Sequence, residues 1–289
     1  MKGLKIVVLA KQVPDTRNVG KDAMKADGTV NRAALPAIFN PEDLNALEQA
    51  LRIKDKIEGT TVHILTMGPG RAAEIIREAM YRGADGGYLL SDRAFAGSDT
   101  LATSYALACA LRNLQTDLLI CGRQAIDGDT AQVGPQVAEK LGLPQVTYAE
   151  DILDITAGKI TIKRRLERGI EVVECPVPCV VTVNGSAPCR PRNARYVMKY
   201  KYARATQEMQ DADEDYLNLL QERPYLKITE WSVNDITCEA QELGLSGSPT
   251  KVKNIESVVF QAKEAKVLEP SDTAIDEMMK ELIVNHTVG

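Results

Sequence analysis

The sequence predicts an α/β protein: a doubly wound, mostly parallel sheet with a β-rich extension and an extended C-terminal arm. Three observations carry this. Up to Pro144, short apolar runs alternate with amphipathic segments of helix length, the pattern of βαβ units with right-handed crossovers. After Gln145 the apolar runs become short and closely spaced, as in hairpins. From Trp231 onward too few apolar residues remain for a core of their own.

In order, Leu4 to Ala10 is the first strand. Asn40-Pro41-Glu42-Asp43 reads as a helix start, with a cap, a proline at the first helical position and acids in the first turn. Leu44, Leu47 and Leu51 then share a face, and the helix ends near Lys56. Thr61 to Met67 is the second strand, and Gly68-Pro69-Gly70 opens a helix to Arg82. Gly86 to Leu90 is the third strand, and Ser98 or Asp99 caps a helix through Leu111. Asp117 to Cys121 is a buried-type strand, followed by the polar loop Gly122 to Asp129. Val133, Val137 and Leu141 place a helix over Thr130 to Leu141. Beyond it lie the β-rich runs 152–155, 160–163, 170–173 and 180–183, the middle pair turning at Glu167-Arg168-Gly169. Ala205 to Glu222 reads as a polar helical connector. The tail holds a strand at Ser257 to Gln261 and a helix from Ser271 or Asp272 to about Val284. The domain division expected is 1–202, including the extension 145–185 and a basic loop 185–201, against a connector and arm over 203–289.

Four loops fall at the carboxyl ends of the predicted strands: Ala10 to Asp15, Thr66 to Pro69, Ser91 to Thr100 and Gly122 to Thr130. That is where doubly wound sheets bind ligands, so together they predict a nucleotide site. The last is the richest. A strand, a glycine-bearing loop and a helix N-terminus offer free N–H groups and the positive end of the helix dipole, although an ordinary capped turn has the same look. Gly128 is suited to φ > 0 and to close backbone approach. Asp129 or Thr130 serves as a cap or gives its oxygen to a ribose or phosphate. Asp127 and Asp129 suit ribose hydroxyls, a cap or Mg²⁺, and no metal site is expected. Arg123 pairs with a ligand oxygen or a neighbouring acid, and Asp99 and Thr100 act as a cap or as ligand groups. Neither GxGxxG nor GxxxxGK[ST] occurs in these loops, so a standard dinucleotide fingerprint and a P-loop kinase are not indicated.

The chain has 289 residues, 44% hydrophobic and 4% aromatic, with net charge −5. Mixed charges and no dense basic run with interleaved aromatics argue against nucleic acid. The first residues read as a strand rather than a signal peptide, and no run approaches a membrane span, so a cytosolic location is expected. The six cysteines (109, 121, 175, 179, 189 and 238) form no CxxC or zinc pattern and are expected as buried thiols. With only His63 and His286, a histidine triad is disfavoured, and the chemistry is expected to come from a bound cofactor.

Several segments resemble one family over nearly the whole chain. They are Lys11-Gln12-Val13-Pro14-Asp15-Thr16, Asn40-Pro41, Met67-Gly68-Pro69, Gly83-Ala84-Asp85, Gly122-Arg123-Gln124-Ala125-Ile126-Asp127-Gly128-Asp129, Pro178 to Val183, Met198-Lys199 and Gly247-Ser248-Pro249-Thr250. On these the chain resembles the small (β) subunit of electron-transfer flavoproteins. The resemblance implies a Rossmann-like, adenine-nucleotide-binding fold and a heterodimer whose large (α) subunit carries an FAD. In ordinary members the small-subunit site holds structural AMP. In electron-bifurcating members it holds a second FAD, which NADH reduces and which passes electrons to the large-subunit FAD and to ferredoxin or flavodoxin. Two segments are similar to the bifurcating branch: Asp127 to Pro135, with glycine at 128 where ordinary members carry an acid, and Ser91 to Ser104, a long turn ending in Asp99-Thr100-x-x-Thr103.

The resemblance assigns cofactor contacts to Ala10, Lys11, Asn40, Thr66, Met67, Gly68, Asp99, Thr100, Thr103, Cys121, Gly122, Arg123, Asp127, Gly128, Asp129, Thr130, Ala131, Gln132, Val133 and Gly134. Gly122 and Asp127 to Gly134 would hold the pyrophosphate and adenosine half. Ala10, Thr66, Asp99, Thr100 and Thr103 would line the flavin half, with Met67-Gly68-Pro69 near the nicotinamide. Ordinary members dock an acyl-CoA dehydrogenase through a leucine-bearing loop and a Met-Lys-x-Lys run. Here Gly185 to Lys201 lacks the leucine, and Arg190, Arg192 and Arg195 stand as docking residues or as a solvated basic loop. The implied role is an electron-transfer subunit of an NADH-dependent flavin oxidoreductase complex. The alternatives are an AMP-bearing scaffold without redox work, or a free nucleotide sensor.

Overall fold

The computed structural model describes residues 3–15, 36–156, 158–185, 188–210, 212–250, 267–285 and 287. The chain divides into two compact units, Met1–Asn254 and Ile255–Gly289.

The first unit is built on a nine-stranded sheet in the order β11-β5-β4-β1-β6-β10-β7-β8-β9. The strands are β1 (Lys5–Leu9), β4 (Thr61–Met67), β5 (Gly86–Leu90), β6 (Leu118–Gly122), β7 (Gln145–Thr156), β8 (Lys159–Leu166), β9 (Gly169–Pro176), β10 (Cys179–Val183) and β11 (Thr229–Trp231). From β11 to β7 neighbours pair in parallel; β7–β8 and β8–β9 are antiparallel. The β-rich extension is therefore no separate layer. It continues the main sheet, and β10 slots between β6 and β7. A two-stranded antiparallel ribbon, β2 (Gln12–Pro14) with β3 (Ala37–Phe39), leads from β1 to the first helix.

The helices of this unit are α1 (Pro41–Lys56), α2 (Ala73–Met80), α3 (Thr100–Arg112), α4 (Val133–Leu141), α5 (Ala194–Tyr200) and α6 (Glu214–Glu222). Alternation along each strand sorts its side chains between the two faces. Ile6, Val8, Leu118 and Ile120 pack with Leu47, Ile75 and Ile76 of α1 and α2. Val7, Leu9, Leu119 and Cys121 pack with Leu107, Leu111 and Val137 of α3 and α4. Helices on both faces explain why β6 and β10 are buried along their whole length, as apolar central strands require.

Two expectations change. The helix expected from Thr130 begins only at Val133. Pro135 has no N–H to give and is tolerated only within the first turn, so it holds the start close upstream. No strand was expected at residues 229–231, yet they form the edge strand β11, which pairs with β5. The strand expected at Ser257 to Gln261 lies outside the described residues. In the second unit, α7 (Asp272–Val284) starts at Ser271, whose hydroxyl accepts from the Ala274 N–H. Among the described residues no helix is long and apolar enough to cross a membrane.

Candidate functional site

The chain runs from β1 outward through β4 and β5, then returns to β6 on the other flank of β1. The strand order thus reverses between β1 and β6, whose ends lie level at Leu9 and Cys121. A crevice outside the carboxyl ends at such a reversal is where open α/β sheets take ligands. The loops after β1 and β6 border it.

Their placement comes from the first turn of α1. Asn40 is fully buried and does not cap its helix. Its side chain instead donates to the Gln124 carbonyl at 2.9 Å and accepts from the Ile126 N–H at 3.2 Å. Glu42 accepts from the Gln124 N–H at 2.9 Å and from Arg123 Nη2 at 3.2 Å. Asp43 accepts from the Lys11 N–H at 2.9 Å and the Gly122 N–H at 3.1 Å. Above them Lys11 Nζ donates to both carboxylate oxygens of Asp127 at 2.8 Å, joining the two loops.

The loop itself is strained where sequence reading placed flexibility. Asp129 and Ala131 hold φ of 50° and 52°, whereas Gly128 is not in the left-handed region. Positive φ is uncommon outside glycine, and such backbone strain clusters at functional sites. Gly128 matters for space instead: a Cβ added there meets nothing within 4 Å. Asp129 is not the cap of α4; it accepts from Gln124 Nε2 at 3.0 Å. Gln132 takes the cap position without a capping hydrogen bond from its side chain, whose oxygen instead accepts from Thr100 Oγ1 at 2.8 Å. The first turn of α4 therefore has no side-chain cap, and Thr130 beside it is exposed.

Several predicted contacts have other duties. Cys121 is buried among the α3 and α4 side chains, and burial pushes its thiol far above the usual range. A Cβ on Gly134 would lie 2.8 Å from Cys121 Sγ and from Thr182 Cγ2, so this glycine seats α4 on the sheet. Gly122 is likewise covered by α1. Both were expected against a ligand, and in the fold each also allows close helix–strand packing. Asp99 caps α3, accepting from the Leu101 and Ala102 N–H groups at 2.9 and 3.0 Å. Its second oxygen accepts from the N–H and hydroxyl of Thr250 at 3.0 and 2.6 Å. With four donors on one carboxylate, Asp99 fastens segment 248–250 to α3. Thr103 follows one turn later, its N–H donating to the Asp99 carbonyl at 3.0 Å. Replacing Asp99 by alanine should lower stability by about 1–2 kcal/mol, the upper range for a lost helix cap. Urea unfolding checks this, and an unchanged midpoint would refute it.

At the neighbouring strand end, Ala10 is buried and its N–H donates to the Leu65 carbonyl at 3.1 Å. Thr66 is 1% exposed and its Oγ1 is a buried oxygen without a hydrogen-bond partner. Buried polar atoms are normally satisfied, so an orphan at the carboxyl end of β4 fits a ligand group. Met67 ends β4, and the Gly68 N–H donates to the Leu90 carbonyl at 3.0 Å.

In the basic segment, Arg190 is held within the chain. It grips Glu48 through Nε and Nη2 at 2.9 and 3.1 Å and also reaches Asp55 at 2.9 Å. Arg192 pairs with Glu78 at 3.3 Å, and Arg195 opens α5, exposed. Elsewhere, between α1 and β7, lies a cavity of about 320 Å³ in whose wall Arg52 pairs with Asp151 at 3.6 Å. Among the described residues, no three His, Cys, Asp or Glu side chains group to hold a metal.

The family pattern described as electron transfer flavoprotein domain matches residues 27–208. The chain belongs to the electron transfer flavoprotein family. It is 40% identical over 297 residues to an electron transfer flavoprotein subunit beta of Megasphaera elsdenii, covering 99% of this chain and 100% of that one. It is 43% identical over 250 residues to the caffeyl-CoA reductase-Etf complex subunit CarD of Acetobacterium woodii, covering 86% of each. It is also 49% identical over 192 residues to the acryloyl-CoA reductase electron transfer subunit gamma of Anaerotignum propionicum, covering 65% of this chain and 70% of that one. Within this family it stands with the beta subunits, and its mostly parallel sheet is the fold that membership entails.

Sequence reasoning missed Glu42 and Asp43, which hold the loops but read as dipole partners of α1. It also missed Ser248 and Thr250 as holders of Asp99, whose N–H donates to Ser248 Oγ at 2.9 Å. Nothing local in either segment signals these bonds, since the pairs stand 79 and 149 residues apart.

Proposed function

We propose that this chain is the small subunit of a bifurcating heterodimer and binds an FAD in the β1/β6 crevice. The bound flavin would supply acceptance of a hydride from NADH and delivery of its two electrons singly, one to the FAD of the large subunit and one to ferredoxin or flavodoxin. The single observation carrying this reading is the open ground at Gly128. The loop is held from behind by Asn40 and Glu42, while a Cβ at its tip would meet nothing within 4 Å. Supporting it, two relatives are named as subunits of a caffeyl-CoA reductase-Etf complex and of an acryloyl-CoA reductase.

The chain's own residues then have definite tasks. The uncapped first turn of α4 and the loop 128–132 receive the pyrophosphate, as helix N-termini receive anions. Thr66 Oγ1 offers a hydroxyl to the flavin half, beside Met67 and Gly68, where the nicotinamide would approach. Lys11 and Asp127 tie the two loops together across the crevice. Asp129 and Ala131 preset the loop in its strained form, so less ordering remains on binding.

Arg192 and Arg195 are the docking cations: Arg190 is held by both Glu48 and Asp55, whereas Arg192 keeps a single 3.3 Å pair with Glu78 and stays 56% exposed, and Arg195 is exposed. They suit an acidic face on an acyl-CoA dehydrogenase or another acceptor, and charge reversal should slow electron delivery in a salt-dependent way. The helix α7 presents Ile275, Met279 and Ile283 at four-residue spacing, 50%, 40% and 55% exposed, as a contact stripe for the large subunit.

The test is the nucleotide content of the purified heterodimer. Two FAD per heterodimer are expected, with the small-subunit FAD lost in Gly128→Asp. One FAD with one AMP would instead make the chain a scaffold, and full FAD retention in Gly128→Asp would remove the argument from open space.

A further inference from the structure

We propose that Asp43 is a positioning residue for the nucleotide site, setting the distance between the loops after β1 and β6 by accepting one backbone N–H from each. This rests on the crevice being the nucleotide site, as argued above. The carboxylate lies beneath the crevice. One oxygen takes the Lys11 N–H at 2.9 Å and the other the Gly122 N–H at 3.1 Å. The Asn40 N–H donates to the Lys11 carbonyl at 3.0 Å, so the β1 loop is held from both sides of one residue. Asp43 is 6% exposed, and its neighbours leave little room to adjust: a Cβ on Gly122 would sit 2.5 Å from its Oδ1. Only an ionised carboxylate accepts both N–H groups with equal strength. Once protonated, one oxygen carries an O–H and is left a weaker acceptor for its N–H.

The site is therefore sensitive to the charge of Asp43. Burial pushes its pKa up to about 7 against the bonds from Lys11, Asn40 and Gly122, with Glu42 adding to the rise. The groups around it are few. Glu42 on the same helix is paired with Arg123 of the β6 loop. Lys11 of the β1 loop is paired with Asp127 of the β6 loop. Cys121 on β6 is a thiol that burial drives upward. Asp43 is left as the group that changes charge near neutrality. The clamp is complete above its pKa and opens as pH falls through it.

The experiment strips nucleotide from the heterodimer and titrates it with FAD, and separately with AMP, from pH 6 to 8. It uses wild type, Asp43→Asn and Asp43→Glu. If only the ionised clamp binds well, the competent fraction falls from about nine-tenths to one-tenth, and the dissociation constant for FAD in wild type rises about tenfold over that range. The phosphomonoester of AMP itself titrates near 6, so the AMP series is read as wild type minus Asp43→Asn. Asp43→Asn should bind weakly at every pH with a flat profile, and Asp43→Glu should recover part of the slope. A flat wild-type profile, or one that Asp43→Asn reproduces, overturns the inference. The wild-type profile stands alone if a variant fails to fold. Failure of wild type to bind either nucleotide would overturn the site assignment and this inference with it.

Discussion

Gly122→Ala is expected to be among the most damaging single substitutions in the chain. The new methyl would lie 2.5 Å from Asp43 Oδ1, 2.7 Å from the Glu42 carbonyl carbon and 2.8 Å from the Asp43 nitrogen. Two of these are backbone atoms of α1, so relief requires the helix to lift off β6. Overpacking of this kind typically destabilises by about 1–3 kcal/mol. Here it also pulls Asp43 from the Gly122 N–H and Glu42 from the Gln124 N–H, so nucleotide retention should fall together with stability. Each kcal/mol corresponds to about 2–4 °C of melting temperature for a unit of this size. Gly128→Ala is the matched comparison: same loop, same added atom, nothing within 4 Å, and no expected loss of melting temperature. Equal melting temperatures for the two variants would show that α1 does not bear on Gly122 as described.

Arg190→Ala is the second large effect, and it concerns folding rather than docking. The Glu48 side chain is 8% exposed and accepts from Arg190 Nε, Nη2 and backbone N–H at 2.9, 3.1 and 3.0 Å. Removing the guanidinium leaves the mostly buried carboxylate with only Arg52 at 3.3 Å and the backbone N–H of residue 190 as partners. Loss of one partner of a buried pair removes about 3–5 kcal/mol, and the partial exposure of Arg190 with the partners that remain places this case at or below the lower end. The pH dependence has a definite sign. Burial raises the Glu48 pKa, but the Arg190 hydrogen bonds and charge outweigh it, and the pKa ends below its ordinary 4.5. Ionisation of Glu48 in wild type therefore contributes stability above that value, and the contribution fades as pH drops through the depressed folded pKa. Urea midpoints of wild type and Arg190→Ala should differ most near neutrality and converge in acid. A constant gap from pH 7 down to 3 would mean that the pair is not the source of the loss.

Much of the fold was legible because its signals are local. Alternating apolar runs and amphipathic segments located β1, β4, β5, β6 and the helices between them, and the turn at Glu167-Arg168 located the β8–β9 hairpin. The strip from Gly122 to Gly134 was legible as a strand end, loop and helix start for the same reason. Roles inside that strip were not, because alternation sends neighbouring side chains to opposite faces of the sheet. Cys121 points at α4 and Gly122 at α1, a division that depends on which helices cover each face. The register of α4 was misread because valine and leucine spacing ignores the turn before it, where Asp129 and Ala131 hold positive φ.

The sequence by itself therefore determined the family and the βαβ succession, since these follow from short-range periodicity and contiguous motifs. Only the tertiary structure decided that β10 and β11 join the main sheet, that Arg190 is spent on Glu48, and that Asn40, Glu42 and Asp43 hold the loops. Those outcomes depend on bonds between residues far apart in the chain. A carboxylate at a helix start has the same local pattern whether it faces water or two backbone N–H groups, and folding alone brings the second partner to it.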